Sequence, residues 1–511
     1  MDSHPPGHIA EMETFLPQDG SKQKDSTNIG SYKVAIVPSK IRDEAVQLNQ
    51  LDWDPFKERK LAHPVTDGET LTHLLKAALG SGILSMPFAF KNSGLTAGIF
   101  LTILVSFICT HCAYIIVQCA HVLYRKTRVT AMSLPEIGEV AFAKGPVWGR
   151  KYAKSARTLI QVALFLAYFG SCSVYCVIIA KNFSQVISYH TGTNWDIRIY
   201  ISAFLIPMIL LCWTPNLKSL APVSMFANLC MGLGLGITFY YIVWDLHKPS
   251  ELPQLAPVEN IPIFLSITIF AIEAIGVVMP LENNMATPRH FVGLCGVLNQ
   301  GMGGVTLVYI FLGFIGYLKY GEETQDNITY NLPQEEFAPQ VANISIGMAV
   351  FCTFALQFFV AKEIVWNGLK DNFPKRPVFY EYVVRTIIVI AAVGLAVAVP
   401  TIGPFLGLIG ALCFSFLGLI IPVFIEVVTY WEGGFGAYNW RIFKNILVLI
   451  FGILALVFGT QTSITDIIKA YSPAEPIVTP LLNATLVDTL VANATSLVEK
   501  VANSTFAATA Q

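Results

Sequence analysis

The chain has 511 residues, 54% of them hydrophobic and 13% charged, with a mean hydropathy of +0.57. Soluble domains carry about 25% charged residues, so this composition excludes an ordinary water-soluble protein and predicts a membrane protein. A net charge of −1 excludes nucleic acid as a partner, because a phosphate backbone is bound by a basic excess.

Residues 1–70 are polar and mixed in charge, with Pro5, Pro6 and Pro17. They hold too little apolar surface to fold alone, show no signal peptide, and are expected to form a disordered cytoplasmic tail. Beyond them the chain turns apolar. About 20 apolar residues cross a bilayer as helix. On that rule eleven segments follow: 71–92, 95–122, 157–181, 198–214, 218–244, 261–282, 290–319, 342–362, 383–400, 402–425 and 443–465. All ten cysteines fall inside these limits, which offers no extracellular disulfide. Residues 466–511 form a tail with Asn-Ala-Thr, Asn-Ala-Thr and Asn-Ser-Thr at ten-residue spacing.

Segments 1 and 6 are interrupted alike. The first carries Gly80-Ser81-Gly82-Ile83-Leu84-Ser85-Met86-Pro87, and the sixth Ile275-Gly276-Val277-Val278-Met279-Pro280. In hydrocarbon an unmade backbone hydrogen bond costs several kcal/mol, so an unwound turn survives only where it lines an enclosed cavity. Two such turns in corresponding halves point to a transporter binding site. The expected fold is an all-α polytopic membrane protein of eleven transmembrane helices. Segments 1–5 (71–245) and 6–10 (260–425) form a five-plus-five inverted repeat of the leucine-transporter-like type, and segment 11 (443–465) is an addition.

Orientation follows from charge. Arg125, Lys126, Arg128, Lys144, Arg150, Lys151, Lys154 and Arg157 cluster between segments 2 and 3, which places that loop and the N-terminus inside. The C-terminus is then extracellular or lumenal. Glycosylation signals at Asn327, Asn483, Asn493 and Asn503 fall on the outer side in this arrangement, as do those at Asn182 and Asn343, which hug the membrane.

The breaks suggest a ligand. Free N–H groups of Ser81, Gly82 and Ile83, next to Gly80 and at the start of a half-helix, suit a carboxylate. Carbonyls near Ile275 and Gly276 suit an ammonium group, so the natural ligand is an α-amino acid. Ionisable residues inside segments are costly and functional by default. His73 and Lys76 share one face of segment 1, and Glu273 precedes the break of segment 6. His73 and Glu273 are the candidate proton carriers, although His73 and Lys76 could instead snorkel and Glu273 could stay neutral. Glu282 and His121 read as interfacial. No phosphate loop, zinc-protease helix or dinucleotide fingerprint occurs, and Cys109, His111 and Cys112 do not share the face a metal needs. Neither an enzyme nor a metal site is expected.

The run His73 to Pro87 with Lys91-Asn92-Ser93-Gly94, the run Ala274 to Asn283, and Leu134-Pro135-Glu136 together resemble the proton-coupled amino acid transporters of the amino acid/auxin permease superfamily, their insect branch above all. The resemblance covers roughly residues 65–465. It implies symport of protons with small neutral amino acids such as alanine, glycine and proline, without sodium and without a cofactor. It further implies a plasma-membrane or late-endosomal and lysosomal location, nutrient-signalling partners at the N-terminal tail, and a proton-coupling role for His73. An amino acid sensor with low flux, and a sodium-coupled transporter of the same fold, are the alternatives.

Overall fold

The structure, a computed structural model, describes residues 53–61, 63–214 and 217–471. Asn483, Asn493, Asn503 and most of both tails lie outside these residues. The chain divides into two units, Met1–Ile464 and Thr465–Gln511. Of the second, only 465–471, the end of the helix Trp440–Tyr471, is described.

Among the described residues there is no strand, and nine helices are long and apolar enough to cross a membrane by length and composition. They correspond to segments 2, 3 and 5–11. Segment 4 is shorter, an apolar stretch Ile197–Cys212 split into Ile197–Ala203 and Leu205–Cys212. Segment 1 is broken into Asp67–Ala78, a 3-10 turn Ser81–Ser85, and Met86–Ser93. Segment 10 contains a π-helical stretch, Gly410–Ile420. Cys295 departs from expectation: it is exposed and precedes the helix Val297–Tyr320.

Loop contacts define two ends. At the far end, Leu95 and Ala97 donate backbone N–H groups to Pro253 and Gln254, and Ala256 donates to Ser93. Lys91 reaches the Glu322 carbonyl there, and Asp326 accepts from the Gly403 N–H. At the other end, which we call the N-side, Val65 exchanges backbone bonds with Asn284 and Ala286. Lys126 donates to the Thr429 carbonyl and Arg385 to that of Thr214. The basic loop after segment 2 lies on the N-side.

Residues 54–61 and 63–66 correct the expectation of disorder up to residue 70. Thr66 and Glu69 cap segment 1 reciprocally, Glu69 accepting from the Thr66 N–H at 2.9 Å, a capping box that satisfies helix-end donors. Asp67 accepts from Thr287 at 2.5 Å and meets His290 at 2.7 Å. The Thr287 hydroxyl first, and His290 second, hold its carboxyl below the usual range. That tie is therefore present at neutral pH and lost only as pH falls through the lowered value.

The same stretch supplies Arg59, which corrects the reading of Glu282 and His121 as interfacial. Glu282 is fully buried. Its carboxylate meets Arg59 Nη2 at 3.2 Å, His121 Nε2 at 3.0 Å and the Tyr124 hydroxyl at 3.1 Å. Arg59 also donates to the carbonyls of Glu282 and Thr130, joining segments 2 and 6 to the chain before segment 1. Removing one partner from a buried ion pair costs about 3–5 kcal/mol because the other charge stays buried. Arg59→Ala is therefore expected to lower the melting temperature of the purified protein clearly. The exposed Lys57→Ala is expected to leave it unchanged.

Candidate substrate site at the helix breaks

Each break places a carbonyl end and an N–H end of a half-helix side by side. In segment 1, Gly80 is extended between Ala78 and the 3-10 turn. In segment 6, helix Ile261–Ile272 stops, Glu273 is extended, and the helix resumes over Ile275–Asn284. The two breaks pack directly on each other. A Cβ on Gly82 would stand 2.7 Å from the Ala271 Cα, so only glycine lets these backbones meet. The 3-10 turn Ile328–Asn331 covers Ser81–Ser85 from the far end. Residues 81–87 are all buried, whereas Thr72, Lys76 and Ala77 in the N-side half are exposed.

Tyr309 of segment 7 joins the carbonyl ends. Its fully buried hydroxyl lies 2.5 Å from the Ala78 carbonyl and 2.9 Å from that of Ala271. One hydroxyl proton serves one acceptor at a time, so one of these carbonyls stays available to another donor. The N–H ends are treated unequally. Glu273 Oε1 accepts from the Ile275 N–H at 2.7 Å, so the chain supplies its own carboxylate to that positive helix end. Glu273 Oε2 is buried without a hydrogen-bond partner and rests where a Cβ on Gly418 would stand. Among the described residues, no carboxylate serves Ser81 or Gly82.

Segment 3 lines this junction with two tyrosines on one face. Tyr175 has its hydroxyl beside Ser81 and Gln357, although the buried Ser81 hydroxyl makes no hydrogen bond of standard geometry. Tyr168, two turns away, has its hydroxyl against Gly276. The tyrosines and Gly418 carry no signal in a single sequence. Tyrosines are common in membrane helices, and only packing shows which of them converge.

Comparison with known proteins decides the family. Residues 63–465 match the family described as transmembrane amino acid transporter protein. The chain belongs to that family. Over 465 residues it is 58% identical to the proton-coupled amino acid transporter-like protein pathetic of Drosophila melanogaster, covering 91% of this chain and 96% of the relative. It is 26% identical to the amino acid transporter ANT1 of Arabidopsis thaliana, covering 78% and 92%. A nucleobase-cation-symport-1 family transporter, solved closed with bromovinylhydantoin bound, superposes with a TM-score of 0.45 at 14% identity, covering 81% of this chain and 93% of that one. The family is one of multi-pass membrane transporters, not enzymes.

The transporter's predicted residues fare unevenly. Ser81, Gly82 and Glu273 meet at the junction. Ile83 does not offer its N–H, which donates to the Gly80 carbonyl. Ile275 and Gly276 sit in the first turn of a half-helix, so they face the break with N–H groups rather than carbonyls. The carbonyls at the junction come instead from Ala78 and Ala271. His73 lies five residues before Ala78, about 7.5 Å along the helix, and has no hydrogen-bond partner among the described residues. Its neighbour Glu69 is engaged by Thr66.

Asn327 is a buried cap, a placement that disfavours it as a glycan acceptor. It is 1% exposed, and its Oδ1 caps the Thr329 N–H and hydroxyl, each at 3.0 Å. Asn182 and Asn343 are fully buried too. Asn327→Gln is expected to give no mass shift on a deglycosylation gel. Tyr309→Phe leaves both break carbonyls without its hydroxyl, and an unsatisfied buried acceptor costs about 1–3 kcal/mol. A lower melting temperature is expected, with weaker stabilisation by added amino acid.

Proposed function

We propose that this transporter is a symporter of protons with small neutral amino acids of the alanine, glycine and proline type. The observation that carries the reading is the unequal supply of helix ends at the junction. A substrate carboxylate takes the Ser81 and Gly82 N–H end, the positive end that no carboxylate among the described residues serves. The substrate ammonium takes whichever carbonyl of Ala78 and Ala271 Tyr309 leaves. A zwitterion satisfies both together, and the name of the Drosophila relative agrees with proton coupling.

Glu273 is the proposed coupling group at the site. Ionised, it caps the Ile275 N–H and favours the dipole of the second half-helix. Protonated, it loses most of that attraction, so proton binding changes how firmly the break of segment 6 is held. His73, on the N-side approach, is the proposed second carrier. With the basic loop inside, the N-side faces the cytoplasm. The proposed location is the plasma membrane or the endolysosomal membrane.

The test is uptake of labelled alanine, glycine and proline by proteoliposomes under imposed pH or sodium gradients. An inward proton gradient is expected to drive accumulation. Uptake driven by sodium and indifferent to pH would overturn the reading. Glu273→Gln is expected to abolish accumulation while preserving exchange of labelled for unlabelled alanine. His73→Ala is expected to slow net uptake at neutral pH, and full retention of pH-driven uptake would remove His73 from its role.

A further inference from the structure

We infer that Tyr168 is the floor of the substrate pocket and sets the size of side chain the protein accepts. The inference rests on the amino acid transport reading above and assigns a residue that reading does not use. Tyr168 and Tyr175 are seven residues apart on one helix, two turns or about 10 Å. Tyr175 is 4% exposed and stands at the Ser81 end of the junction. Tyr168 stands at the Gly276 end, where a Cβ on Gly276 would overlap its hydroxyl oxygen.

Of the three tyrosines at the breaks, Tyr175 and Tyr309 are buried, and Tyr168 alone keeps accessible surface. Tyr168 is partly buried and packs against the core, with its hydroxyl turned onto Gly276 at the break. Gly276 opens the half-helix that runs from the break toward the N-side, so the Tyr168–Gly276 contact closes the junction on that side. An amino acid held by its carboxylate at Ser81 and Gly82 and by its ammonium beside Tyr309 then has its side chain bounded on that side by Tyr168. A wall of this kind discriminates by volume, which is worth tenfold or more for a group too large to fit, on the order of what one or two methylenes bring in a hydrophobic pocket.

The geometry also explains why position 276 holds glycine. A methyl there competes with the Tyr168 hydroxyl for the same space, and deleting that hydroxyl makes room for the methyl. The two residues are therefore coupled, and coupling of direct neighbours is what a double-mutant cycle measures.

The experiment uses the full chain in proteoliposomes, with exchange uptake of labelled alanine, leucine and phenylalanine. Monodisperse elution is the check on folding. Wild type is expected to prefer alanine, and Tyr168→Ala to raise the leucine-to-alanine ratio about tenfold. Gly276→Ala is expected to lose alanine uptake, and the double variant Gly276→Ala with Tyr168→Phe to recover most of it. A folded Tyr168→Ala variant with the wild-type ratio overturns the inference while leaving the transport reading standing. Failure of the double variant to recover uptake does the same, and it decides the matter if Tyr168→Ala does not fold. Wild type that exchanges no amino acid overturns the transport reading and this inference together.

Discussion

Every backbone polar group inside a bilayer has to be satisfied within the protein, and the two helix breaks are where this chain departs from the simple solution. A continuous helix satisfies its own groups, but a break releases both N–H groups and carbonyls at a depth where water does not reach from lipid. The molecule answers with residues of the breaks themselves and of two other places in the chain. Tyr309 reaches two carbonyls, Glu273 caps one N–H end, Gly82 lets the breaks close on each other, and the Ile328–Asn331 turn seals the far end. What is left over, an N–H end at Ser81 and Gly82 and one carbonyl at a time, has the polarity of an amino acid in reverse.

That remainder links stability to function. On the proposed reading, the groups that bind substrate are the ones the fold leaves incompletely satisfied. A ligand completes the hydrogen bonding that the polypeptide lacks, so binding and closure of the breaks are favoured together. Glu273 has a double part in this economy of donors, because its carboxylate holds the second half of segment 6 and is also the acidic group nearest the junction. The π-helical stretch of segment 10 brings Gly418 against that carboxylate, and π-helical turns in α-helices are frequent at functional sites.

The N-side carries a second constraint. Arg59, Glu282, His121 and Tyr124 tie the chain before segment 1 to segments 2 and 6 through a fully buried carboxylate. Val65 pairs with the backbone after segment 6, and Asp67 meets Thr287 and His290. The N-side halves of both broken helices are thereby fastened to one another. The far side is fastened by Lys91 on the Glu322 carbonyl and Asp326 on the Gly403 N–H, together with neutral amides and hydroxyls such as Asn182, Asn327 and Thr329.

Much was legible in the amino-acid order alone. Hydropathy marked the membrane-spanning stretches, since the cost of burying polar residues in lipid is local. Glycine and proline marked the breaks, since backbone freedom is also a local property. Basic loops marked one face for the same reason. The family followed from the runs around residues 73–87 and 274–283, and the match over residues 63–465 agrees. Tertiary structure decided what local rules cannot. Which helix end faces the break moved the carbonyl partners from Ile275 and Gly276 to Ala78 and Ala271, because polarity depends on where a half-helix starts rather than on residue type. Burial turned Asn327 from a surface signal into a cap, and Glu282 and His121 from interfacial residues into a buried network. The convergence of Tyr168, Tyr175 and Tyr309 depends on contacts between segments more than a hundred residues apart, and no local property of a sequence encodes such a meeting.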